Sequence, residues 1–113
     1  MPQNRNKLIE LFIGNMSNAV IHDILEKAID DEDIRKRYGQ ELNTSFKKAK
    51  DYREKINPVS SPIPEADIYY IKNKIIKKVK AGLNERIAKG YENIDLFSIE
   101  LVVDSMLKEA GIK

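Results

Sequence analysis

The sequence predicts an all-α protein: a four-helix up-and-down bundle built from two helical hairpins, with a homodimer as the expected assembly. Three observations predict it. Four segments carry apolar residues at helical spacing, and none alternates apolar and polar residues as a half-buried strand does. The clearest interruption, NPVSSPIPEAD, contains Pro58, Pro62 and Pro64 and divides the chain into two helical pairs. At 113 residues the chain is one domain, and neither half is large enough for a core of its own.

The first helix is expected over about 6–29. Leu8, Ile9, Phe12, Ile13, Met16, Ala19, Val20 and Ile24 share a face, and Ile21, Leu25 and Ala28 add a second strip. That arc is wider than one packing partner requires. Either this is the most buried helix, or Ile21, Leu25 and Ala28 meet a second chain. Asn15, Asn18 and His22 break its apolar run too early for a membrane span or a signal peptide.

The run Asp30-Asp31-Glu32-Asp33 reads as the start of the second helix, about 31–56, with Asp30 as its cap and the next three acids in its first turn. Ile34, Tyr38, Leu42, Phe46, Ala49, Tyr52 and Ile56 form its apolar face. Positions 38, 42, 45, 49, 52 and 56 follow coiled-coil-like spacing, weakened by Ser45. This seam is the second ground for a dimer. Gly39 lies inside the helix, where glycine costs about 1 kcal/mol relative to alanine.

The proline-rich loop, 57–64, separates the hairpins. Pro62 or Pro64 suits the first position of the third helix, about 65–89, with Glu65 and Asp67 complementing its dipole. A turn around Asn93 or Asp95 leads to the fourth helix, about 96–110, stopped by Gly111. Its expected buried stripe is Leu96, Ile99, Val103, Met106, Leu107 and Ala110.

Charge focuses attention on the third helix. The whole chain carries only +2, from 20 basic and 18 acidic residues, which does not announce a polyanion partner. Residues 68–91, however, hold seven basic side chains against Glu85 alone. Ile68, Ile71, Ile75, Ile76, Val79, Leu83 and Ile87 fall on one apolar arc, so this helix docks on the bundle. Lys74, Lys77, Lys78 and Lys80 spread around the remaining circumference as a solvated face rather than gathering into a stripe. Tyr69 and Tyr70 lie on opposite sides, so only one is a core candidate; Tyr70 shares the lysine side, where an aromatic ring can stack on a base. Lys72 and Arg86 point into the apolar arc and either snorkel or meet an acidic partner.

The chemistry of the remaining residues is sparse. There is no cysteine, hence no disulfide or thiolate site, in keeping with a soluble cytoplasmic protein. His22 is the only histidine and lacks the companions that a metal site or a nucleophilic site needs. The consecutive acids at 30–33 lack the spaced ligands and central glycine of a calcium loop. Phosphate-binding glycine loops and zinc-protease motifs are absent. No catalytic residue, metal ligand or cofactor is therefore expected. A hydrolase using Asp23, Glu26 and a metal is the outside reading.

Two functional readings follow. The first is a non-catalytic helical interaction or scaffold module that self-associates or binds a protein partner, using Ile21, Leu25 and Ala28. The second is a nonspecific nucleic-acid-binding protein, or an accessory subunit of a nucleoprotein complex, using Tyr70, Lys74, Lys77, Lys78 and Lys80. No membrane partner is expected.

Overall fold

The computed structural model describes residues 5–57 and 62–112. Pro58 and the connection through Ser61 lie outside the described residues. The chain is all-α: α1 (Arg5–Ala28), α2 (Glu32–Ile56), α3 (Glu65–Ala88), a short 3-10 turn (Leu96–Ser98) and α4 (Ile99–Glu109).

The helix ends follow local chemistry. Asp31, not Asp30, caps α2: its backbone is extended, and its carboxylate accepts from Asp33 N at 3.0 Å and Ile34 N at 3.1 Å. The shift arises because α1 stops at Ala28, leaving room for a three-residue link. Arg35 fastens that link by donating from Nη2 to Ile29 O at 2.8 Å. Pro64 takes the cap position of α3, immediately before its first turn. Asp95 caps the 3-10 turn through Phe97 N. Gly90 and Gly111 end α3 and α4 at φ +104° and +81°, a backbone region open to glycine.

α1 is the axle of the fold. It packs most extensively on α2 and also touches α3 and α4, whereas α2 barely meets either of those helices. The paired positions Arg5–Asp67, Glu10–Tyr70 and Ile21–Gly82 show that α3 runs parallel to α1. Nearly half of the buried apolar side chains among the described residues therefore come from α1, including Phe12, Ile13, Met16, Val20 and Leu25. Being surrounded by its own chain accounts for the width of its apolar arc. Its length and composition would suffice to cross a membrane, yet 61% of its most apolar window is buried inside the molecule, as in a core helix.

α2 has α1 as its main partner, so Tyr38, Phe46, Tyr52 and Ile56 pack against the core while staying half-exposed, and only Ala49 and Arg53 are buried. The coiled-coil-like seam is thus used within the chain. Gly39 faces the Glu26 side chain, and a Cβ placed there meets its carboxylate at an ordinary 3.5 Å. Gly39→Ala is expected to stabilise the fold by about 0.5–1 kcal/mol, measurable by urea denaturation, because it relieves backbone entropy without a clash.

Candidate interaction surfaces

Ile21 and Leu25 are buried in the chain and Ala28 is half-buried. Ile21 meets α3 at Gly82, where an added Cβ would lie 2.8 Å from Ile21 Cδ1. The strip that the sequence offered for self-association is therefore covered by intramolecular packing.

The basic face of α3 is as the wheel places it. Lys74, Lys77, Lys78 and Lys80 are exposed, and none is ion-paired among the described residues. Tyr70 is committed locally. Its hydroxyl donates to the Glu10 carboxylate of α1, and Lys74 Nζ sits 5.8 Å from its ring centroid. Hydrogen bonding to Glu10 pushes the Tyr70 hydroxyl above the usual tyrosine range. A base stacking on the face of this ring that Lys74 covers would have to displace it. Neither adjacent tyrosine is core: Tyr69 is still more exposed than Tyr70, because it flanks an open groove between α3 and the shorter α4.

The two misfit cations resolve differently. Lys72 bridges to Asp104 at 2.9 Å and Glu100 at 3.6 Å on α4, and the Asp104 carboxylate holds its amine above the usual lysine range. Arg86 turns back on its own helix and donates to Gly82 O at 3.1 Å.

Beside Lys78 runs a groove floored by α1. Glu10, Leu11, Gly14, Asn15, Ser17, Asn18 and Ile21 line it, so the Glu10 carboxylate faces the same space as Lys78. Nothing lies within 4 Å of a Cβ built on Gly14. Ser17 Oγ is buried there without a hydrogen-bond partner.

The 3-10 turn and the outer face of α4 carry a feature that the apolar stripe of the sequence does not reveal. Phe97 is 99% exposed and Leu101, four residues later, is 74% exposed. They point away from Ile99, Val103 and Leu107, which fill the core. Leu96, expected in the buried stripe, is exposed too, because the 3-10 turn rotates it off the α4 register. Exposed Glu92, Asp95, Glu100 and Asp104 are close to the pair in sequence, and of these Glu100 and Asp104 are bridged to Lys72 of α3.

His22 lies between helices. Its Nε2 is 2.7 Å from Glu41 Oε2, its ring tilts against Tyr38 at 5.7 Å, and its Nδ1 is buried without a partner. Thr44 and Ser45 border the same groove. One ring nitrogen is thus engaged and the other shielded, so this geometry offers no accessible base to a hydroxyl nucleophile. Asp23 pairs with Lys27 at 3.1 Å, while Glu26 rests against Gly39. No three metal-ligating side chains converge among the described residues.

In comparisons with known proteins, no family model, no curated protein and no solved structure matches this chain.

Proposed function

We propose that this chain is a small, soluble, cytoplasmic, non-catalytic helical interaction module that self-associates through the outer face of α4. The supporting observation is the Phe97–Leu101 pair. Phenylalanine is a large apolar side chain, and burying one stabilises an interface strongly. Leaving one fully in water on the 3-10 turn, with Leu101 exposed four residues later on α4, marks an anchor site. The area is modest, so the contact is weak and depends on concentration. Hydrogen exchange measured at low and high protein concentration tests this reading. Residues 95–105 are expected to gain protection on concentration. No concentration-dependent protection there would overturn it.

A second reading, nonspecific nucleic-acid binding, is favoured by one observation: the four exposed lysines have no ion-pair partner among the described residues. It requires salt-steep binding that Lys→Glu changes at 74, 77, 78 and 80 abolish. Because Tyr70 is occupied, the interaction-module reading expects fluorescence anisotropy to detect no binding of labelled RNA or DNA at physiological salt. Tight binding there would reverse the order of the two readings.

A further inference from the structure

We infer that the self-association contact is two-fold: α4 lies antiparallel on α4 of a second copy, and the Phe97 ring of each copy enters the other's groove between α3 and α4. This inference rests on the self-association reading and adds the receiving site and the orientation of the two copies.

The three most exposed large apolar side chains among the described residues are Phe97 at 99%, Leu101 at 74% and Tyr69 at 73%. All three border one helix. Phe97 and Leu101 mark the N-terminal end of the outer face of α4. Tyr69 walls a groove of about 690 Å³ between α3 and the C-terminal half of α4, with Ile68, Leu107 and Ile112 as the rest of its apolar lining. A projecting ring and an apolar recess thus occupy opposite ends of the same helix. From Phe97 to Lys108 the rise is about 16 Å. An antiparallel pair fills both recesses at once, which a parallel pair does not. A phenyl ring set against Tyr69 also gains an aromatic contact.

The register follows from the outer face of α4. Asp104, Ser105 and Lys108 lie within about 60° of Leu101 on the helical wheel. Setting Phe97 against Lys108 of the second copy brings Leu101 against Asp104 and Ser105. Asp104 is already bridged to Lys72 at 2.9 Å within its own chain, so it enters the contact as a paired charge. Lys108 has no ion-pair partner among the described residues. In this register it comes beside the exposed Asp95 of the second copy, whose cap to Phe97 N engages only Oδ1. The two-fold axis repeats that opposite-charge pair. Glu65 in the groove and Glu109 on α4 are the like charges near Asp95, and both are exposed, where salt screens them. Apolar contact supplies the energy, and Lys108 favours the orientation.

Paramagnetic relaxation tests the arrangement. The chain has no cysteine, so a nitroxide on Glu109→Cys sits at one exposed position and leaves Phe97, Leu101 and Tyr69 intact. The full-length labelled variant, checked for wild-type helicity by circular dichroism, is mixed with nitrogen-15 wild type over a range of concentrations. Amides of residues 92–98 in the wild type are expected to broaden most. Strongest broadening at 105–112 would mean a parallel pair; it would overturn the inference and leave self-association through α4 standing. Broadening centred on α1 or α2 would overturn both, as would none at any concentration. Tyr69→Ala tests the receiving site separately, since it keeps the projecting ring. It is expected to raise the dimer Kd about tenfold. An unchanged Kd would show that Phe97 does not enter the groove, whatever the orientation of the helices.

Discussion

Leu25→Gln is expected to lower the free energy of unfolding by about 3–5 kcal/mol. Leu25 is fully buried, within the core that α1 shares with its neighbours in the chain. The change removes apolar burial and places an amide where no partner awaits it. Against a total stability of about 5–15 kcal/mol this is a large fraction. The thermal midpoint, followed by circular dichroism at 222 nm, should fall by more than about 10 °C. The alternative is sharply different. Were Leu25 an interface residue, glutamine would dissociate an oligomer and leave the monomer's unfolding largely unchanged.

The second large effect is expected at Arg53. This side chain is only 1% exposed, although it is an arginine near the end of a lightly covered helix. It donates from Nε to Gly111 O at 3.1 Å and from Nη1 to Asn57 Oδ1 at 2.7 Å and Asn57 O at 3.2 Å. It thereby ties the end of α2 to the residue that stops α4. Burial lowers its pKa from the usual arginine value, but the guanidinium remains charged at neutral pH. Arg53→Ala leaves a void and strips the Gly111 carbonyl of its donor. The expected cost is about 3 kcal/mol by urea denaturation, with Arg53→Lys recovering part of it because lysine cannot reproduce the fork. Amides of 107–112 should also exchange faster, since Ile112 and Ala110 lose the tether that holds them against the core. Unchanged stability in Arg53→Ala would show that the contact is dispensable.

Much of the architecture is legible in the sequence because it is local. Ile71, Ile75, Val79 and Leu83 repeat at helical spacing and are all buried. Asp95, Gly90 and Gly111 sit where caps and stops need them. What the pattern of apolar residues does not encode is who covers them. Ile21 and Leu25 look the same whether α3 or a second chain lies against them, so the width of α1 pointed equally to a central helix and to a dimer. The parallel placement of α3 against α1 covers Ile21 within the chain, and it depends on contacts sixty or more residues apart.

The site was partly legible. The exposed lysines follow directly from the helical wheel, but the Lys72 bridge to Asp104 and the Glu10 contact to Tyr70 are tertiary. Arg53 carried a signal that went unused: it lies one turn after Ala49 and one turn before Ile56, inside the apolar arc of α2. Phe97 and Leu101 did as well. Two large apolar residues four apart, off the buried stripe of a short helix, are conspicuous once the stripe is drawn.

Sedimentation equilibrium separates a self-associating chain from a monomer. Wild-type protein and the double variant Phe97→Asp, Leu101→Asp should be compared over a wide concentration range at physiological salt. The wild-type average mass is expected to rise with concentration and the variant to remain monomeric with unaltered unfolding, because both side chains lie outside the core. A wild type that stays at 13.0 kDa throughout, or a variant that associates equally well, would contradict self-association through this face.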